Sequence, residues 1–189
     1  GGAGVALRYN GHIKNCVIRN NYNTAYWNTR GGGAFQNDGI FENCVFAGNK
    51  IIGTNGYSVY GGGLYLRSGT VFNSIFHHNS LEHADDVKHY GTAVFFEVAK
   101  FYNNTITKNE GSYAMYSGNY FAQFGYSGYL EIYNSIICDN TVTAGTNEFD
   151  FETGSSSIYL TNCLFKNSTM HKDFTSFPHI NNIYHFDDF

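Results

Sequence analysis

One nine-residue frame recurs along this chain and leaves it few ways to fold. In Val71-Phe72-Asn73-Ser74-Ile75-Phe76-His77-His78-Asn79 an apolar residue precedes Asn by two, a small residue and two apolar ones follow, and a second Asn closes the frame. The same frame runs from Ile13 to Asn21, Phe41 to Asn49, Phe101 to Asn109, Ile132 to Asn140 and Leu160 to Ser168. Its first Asn falls at Asn15, Asn43, Asn73, Asn103, Asn134 and Asn162, in steps of 28, 30, 30, 31 and 28 residues. Self-similarity at that period marks a stacked repeat architecture.

Glycine and a short apolar strand open each copy: Gly31-Gly32-Gly33-Ala34-Phe35, Gly61-Gly62-Gly63-Leu64-Tyr65-Leu66 and Gly91-Thr92-Ala93-Val94-Phe95-Phe96. Later copies read as Ser127-Gly128-Tyr129-Leu130 and Ser155-Ser156-Ser157-Ile158-Tyr159-Leu160. Short runs of Val, Ile, Phe and Tyr bounded by Gly, Asn and Ser are strand signals. No stretch holds a helical period between caps. The expected fold is all-β, a right-handed parallel β-helix of about six coils of 28–31 residues with long loops on one side. Coils span residues 1–168, and 169–189 form a further partial coil or a C-terminal extension. Gly1-Gly2-Ala3-Gly4 reads as the middle of a repeat, and Phe186–Phe189 shows no obvious polar cap, so the chain is expected to be a piece of a longer one.

The corners explain the Asn. A sharp bend between strands needs a residue that tolerates the left-handed region, which Asn does better than most. Asn15, Asn43, Asn73, Asn103, Asn134 and Asn162 should therefore stack, their amides bonding along the column, with Asn21, Asn49, Asn79, Asn109, Asn140 and Ser168 as a second column. Ile13, Phe41, Val71, Phe101, Ile132 and Leu160 should face inward before the bend. Ile18, Phe46, Phe76, Ile106, Ile137 and Phe165 should do so after it. Alternation puts Val17, Val45, Ile75, Thr105, Ile136 and Leu164 outside. Cys16, Cys44 and Cys163 follow the first Asn, where Ser74, Asn104 and Ser135 stand in other copies. Small residues at one slot suggest free thiols in a tight interior stack. A Cys16–Cys44 bridge is the alternative, since bridging depends on Cβ directions that spacing does not set.

The glycine openings and the endings Phe46-Ala47-Gly48-Asn49 and Phe76-His77-His78-Asn79 resemble the paired Gly-Gly-Ala-aliphatic and Phe-x-x-Asn tetrapeptides of polymorphic outer-membrane proteins and related autotransporter-type surface adhesins. Other copies vary the ending, as in Ile18-Arg19-Asn20-Asn21 and Ile106-Thr107-Lys108-Asn109. The resemblance implies an extended passenger segment that serves adhesion at the cell surface. It supplies no catalytic residues.

Composition narrows the function. Net charge is −4 and only 14% of residues are charged, so no nucleic-acid footprint appears. No apolar run approaches the ~18 residues of a membrane span. The segments after the second Asn, Tyr22–Arg30, Lys50–Tyr60, Ser80–Tyr90, Glu110–Tyr126 and Thr141–Gly154, read as loops leaving one corner. Their Tyr26, Trp27, Tyr57, Tyr60, Tyr116, Tyr120 and Phe124 are candidates for stacking on sugars or anchoring a protein partner; packing on one another is the other reading. His83, Asp85, Asp86 and His89, near His77 and His78, form a weak candidate metal set, and the alternating Glu148, Asp150 and Glu152 a weak calcium set. Asn167-Ser168-Thr169 and Asn103-Asn104-Thr105 are glycosylation sequons, the second on a ladder residue expected to be poorly accessible.

These features lead to a non-enzymatic, extracellular structural or adhesive segment that binds a glycan, a protein or neighbouring subunits of a filament or coat. The alternative is a polysaccharide lyase or glycoside hydrolase acting on acidic polysaccharide in a groove of the solenoid. A hydrolase of that kind needs paired carboxylates. The one internal adjacent acidic pair here is Asp85-Asp86, within a variable segment.

Overall fold

The computed structural model describes residues 3–25, 28–54, 57–83, 89–118, 129–142, 149–151, 157–166 and 180–186. The chain is an all-β parallel solenoid, with no helix among those residues. Each full turn has four walls. The first sheet stacks Val5–Leu7, Ala34–Gln36, Leu64–Leu66, Val94–Phe96, Met115–Ser117 and Phe149–Phe151. The second begins at His12–Lys14, Ile40–Glu42 and Thr70–Phe72 and passes through Val98–Tyr102 and Tyr129–Tyr133 to Ser157–Lys166. Past the first Asn, the same sheet returns along Ile136–Cys138, Thr105–Thr107, Ile75–His77, Val45–Ala47 and Val17–Arg19. The third sheet starts at Tyr22–Ala25 and Lys50–Gly53, and the fourth holds Thr29–Arg30, Val59–Tyr60 and His89–Tyr90. Strand Ile180–Phe186 adds one more parallel rung beyond Ser157–Lys166.

The stretches read from sequence as loops are thus largely the third and fourth walls. Their strands are two to four residues long and share no frame, so nothing in the pattern set them apart. The described strands make about four turns, fewer than the six expected. Among the described residues the first sheet has six strands, the third five and the fourth three. The opening strands of the last two coils also lie elsewhere than expected. They are Met115–Ser117 and Phe149–Phe151, whereas Leu130 pairs with Ala99 and Ile158 with Leu130 in the second sheet. Variable segments therefore leave two junctions. Residues 119–128 and 152–156 fall between first- and second-sheet strands, not after the second Asn.

The first-column corner is left-handed in every copy, with φ of 56°, 52°, 52°, 54°, 50° and 53° from Asn15 to Asn162. That bend resets the in/out phase, and the apolar residues on both sides of it are buried: Phe41, Val71, Phe101, Ile132 and Leu160 before, Ile18, Phe46, Phe76, Ile106, Ile137 and Phe165 after. Like stacks on like, as where the Phe46 and Phe76 rings lie parallel 4.4 Å apart.

The hydrogen-bonded ladder, however, belongs to the second column. The left-handed bend turns the first-column side chains outward, and all six are exposed. The amide contacts seen there join Asn43 to Asn15 at 3.1 Å and Asn162 to Asn134 at 3.0 Å. Asn103, expected to be poorly accessible, is exposed for the same reason. The interior at that corner is filled by the next slot. Cys44, Ser74, Asn104, Ser135 and Cys163 are buried there, and the Cys44, Ser74 and Asn104 amides donate to the side-chain oxygens of Ser74, Asn104 and Ser135. All four cysteines are free, so no Cys16–Cys44 bridge forms. Cys16 is exposed because no described rung packs beneath it.

At the second corner Asn49, Asn79 and Asn109 are 0–1% exposed. The Asn79 Oδ1 accepts from both the backbone and side-chain nitrogens of Asn49, and its Nδ2 donates to Asn109 Oδ1 at 2.9 Å and Phe46 O at 2.9 Å. The same pattern runs from Asn21 to Asn140. A glycine faces the amides of Asn21, Asn49 and Asn79. A Cβ on Gly33 would lie 2.7 Å from the Asn49 Cγ, and one on Gly63 would lie 3.1 Å from the Asn79 Cγ. Gly33 and Gly63, the third glycines of their opening motifs, are small because the ladder of their own coil occupies that space; Ala93 holds the same position in the next coil.

Replacing Asn79 by Ala orphans buried donors and acceptors on two rungs and should cost on the order of 3–5 kcal/mol. Asn73→Gly keeps the left-handed corner and should cost within about 0.5 kcal/mol. Urea unfolding of the two variants checks the contrast; equal losses would refute the assignment of the ladder to the second column.

Candidate functional site

Two of the aromatic candidates prove to be strand residues. Tyr60 lies in the fourth sheet and Tyr116 in the first. Phe35, Tyr65, Phe95 and Tyr116 share one outward position of the first sheet, and their rings stack with centroids 5.4, 5.1 and 6.0 Å apart. Tyr60 and Tyr90 stack at 5.4 Å, and Tyr60 meets Phe95 edge-on at 4.9 Å. The Arg30 guanidinium lies 5.2 Å over the Tyr65 ring. The seam is closed, with Tyr65 and Phe95 buried at 1% and 3% exposure. Tyr60 and Tyr116 thus pack on the coil. Tyr57 is half-buried, and Tyr26, Trp27, Tyr120 and Phe124 lie outside the described residues.

Glu97 sits at the edge of this seam, 3% exposed. It accepts the Tyr65 hydroxyl, and Arg67 Nε stands 3.9 Å from its second oxygen. Burial pushes its pKa up to about 7, with the Arg30 charge opposing.

An open patch lies on the second sheet. Parallel register aligns Lys100 with Glu131 and Tyr159, and Tyr102 with Tyr133. Alternation buries Ala99, Phe101, Leu130 and Ile132 and turns Val98, Lys100, Tyr102, Tyr129, Glu131, Tyr133 and Tyr159 outward. Tyr102 and Tyr133 are 5.4 Å apart, as are Tyr129 and Tyr159. Between them Glu131 accepts the hydroxyls of Tyr102 and Tyr129, with Lys100 Nζ at 3.6 Å. Burial alone would raise the Glu131 pKa, but the two phenols and the lysine outweigh it and lower it. Hydrogen bonding to Glu131 pushes Tyr129 up to about 12. The patch presents half-buried rings around a fixed carboxylate, an arrangement suited to stacking on a flat ligand. Its sequence signal was the alternation Tyr129-x-Glu131-x-Tyr133, obscured by reading Tyr129 as part of an opening strand.

Around the first Asn corner runs a narrow apolar ridge: Val17, Ile75 and Ile136 are 61%, 43% and 40% exposed, and Val45, Thr105 and Leu164 half-buried. One residue wide and about 24 Å long at strand spacing, it falls well short of the ~800 Å² per partner of a stable interface.

Of the expected metal residues, the two described ones lie in separate sheets. Asp85 and Asp86 lie outside the described residues, the backbone of His83 ends one third-sheet strand, and His89 is half-buried in the fourth sheet in register with Val59. Among the described residues no three His, Cys, Asp or Glu side chains group to hold a metal. Of the calcium set, Glu148 and Glu152 lie outside the described residues, and the Asp150 backbone is in register with Tyr116. Asn167 of the other sequon also lies outside them.

Glu97 should leave a signature in stability. Its folded pKa lies above the unfolded value, so its contribution is intact below about pH 4.5 and is lost as pH rises through about 7, by up to about 3 kcal/mol. Glu131, with a lowered pKa, works in the opposite sense and below that window. Urea unfolding between pH 4 and 8 should show Glu97→Gln flattening the fall in that window; an unchanged slope would refute the assignment.

No family model matches the chain, and neither curated proteins nor solved structures yield a match. What places the chain is its architecture, a parallel β-solenoid with repeated asparagine corners.

Proposed function

We propose that this chain is a non-enzymatic, extracellular structural or adhesive solenoid segment that holds a glycan against the flank of its second sheet. The observation that carries the reading is the open patch of Tyr102, Tyr129, Tyr133 and Tyr159 around Glu131. Tyrosine rings offer sugars a flat apolar face beside a hydroxyl rim. The rigid stack holds those rings in place before binding, which reduces the entropy lost on association. Because Glu131 is saturated by two phenols and a lysine, it serves as an anchor and not as a proton donor. The tetrapeptide likeness to outer-membrane adhesins supports a surface location for such a segment. A filament or coat, with neighbouring subunits as partners, is compatible with the same flank.

The runner-up, cleavage of an acidic polysaccharide, draws on Glu97. Its pKa near 7 suits a general acid. Its enclosure under the aromatic seam weighs against contact with a polymer.

Glycan-array screening followed by titration calorimetry tests the first reading. Tyr133→Ala should weaken binding about tenfold or more, roughly 1.4 kcal/mol. Tyr60→Ala, in the closed seam, should lower thermal stability but leave the affinity of the folded chain unchanged. Binding indifferent to Tyr133→Ala, or no glycan bound at all, would defeat the proposal. Turnover of pectin, alginate or a glycosaminoglycan that is lost in Glu97→Gln would favour the enzyme instead.

A further inference from the structure

His77 and His78 stand apart from the tyrosine patch, and their geometry has a chemical use. His77 ends the strand Ile75–His77 and points outward, because Phe76 before it is buried. His78 is left-handed, with φ of 54°. That turn breaks the strand alternation and brings both imidazoles to one side. Their Nδ1 atoms are 2.8 Å apart and share a hydrogen bond, one ring donating its Nδ1 proton to the other, with the ring planes at 85°. The backbone under them is clamped on both rungs. Gly48 N donates to His77 O at 3.1 Å and His78 N donates to Lys108 O at 2.9 Å. Asn79, next in sequence, is locked in the buried ladder.

We propose that His77 and His78 form a bidentate chelate for a square-planar divalent transition metal, copper(II) ahead of nickel(II). Two metal–nitrogen bonds of ~2.0 Å at a right angle span ~2.8 Å, whereas a tetrahedral angle needs ~3.3 Å. Copper takes the place of the shared proton, the donor ring then carrying its proton on Nε2. With the rings kept at their observed separation the bite is the right angle, so tetrahedral zinc fits less well. Imidazole suits copper and nickel, and copper(II) is the tighter of the two for a given nitrogen site. Water completes the coordination, and the neighbouring Lys108 is the cation that opposes it. The site is independent of the glycan reading, since these rings lie past the first Asn corner from the tyrosines.

Titration of the intact chain with copper sulfate, against glycine as a competing ligand, tests the proposal. One copper per chain should bind. His77→Gln and His78→Gln should each weaken it about tenfold or more, while His12→Gln leaves it unchanged. Lys108→Gln should tighten it about threefold. Nickel should follow copper, and zinc should be weakest. In the unmodified chain, copper should broaden the imidazole resonances of His77 and His78 before any others, which decides the matter even if a variant fails to fold. Copper affinity within about twofold of the parent in either ring variant, zinc binding tighter than copper, or broadening that begins at other histidines would overturn the chelate.

Discussion

Everything in this solenoid depends on a column of buried amides. Asn49, Asn79 and Asn109 each take a donor from the coil on one side and give one to the coil on the other, while closing the bend of their own coil. A buried amide without partners costs several kcal/mol, and one that is fully paired costs little. The arrangement is therefore favourable only when neighbouring coils sit in strict register. That condition fixes the parallel pairing of the second sheet, in which Phe41, Val71, Phe101, Ile132 and Leu160 align in a single file. It also explains the glycines: at Gly33 and Gly63 a side chain would collide with the ladder amide and with the carbonyl of the next coil.

Once the inward positions are committed to the core and the ladder, the outward positions are the ones left to carry chemistry. Three flanks use them differently. On the first sheet the rings of Phe35, Tyr65, Phe95 and Tyr116 close on one another beneath Tyr60 and Tyr90 and trap Glu97. On the second they pair at a similar spacing but stay half-exposed around Glu131. Beyond the asparagine bend they give way to a thin aliphatic ridge and a histidine pair. The difference between a closed aromatic seam and an open patch is largely one of neighbours, since both set tyrosines around a glutamate, with Phe35 and Phe95 added in the seam.

The corners and the core were legible in the sequence because both rest on short-range rules. A left-handed position favours Asn, and a strand alternates, so Asn73 and its flanking Val71 and Phe76 could be placed from spacing alone. Three things were not legible. The two asparagine columns look alike in one dimension, and the direction of the bend decides that Asn79 turns in while Asn73 turns out. The third and fourth walls have strands of two to four residues, too short for a period to show. The shift of the insertion in later coils displaced Met115–Ser117 from the glycine-marked pattern, leaving Ala114-Met115-Tyr116 as its weak trace.

What the sequence determined by itself was a stack of coils, where each coil bends, and which apolar residues fill it. Those follow from the preferences of single residues and from period. Only the tertiary structure decided which amides are buried and which rings are covered. Burial is set by what the adjacent coil brings to the same place, and a Tyr has the same letter whether its neighbour closes over it or leaves it open.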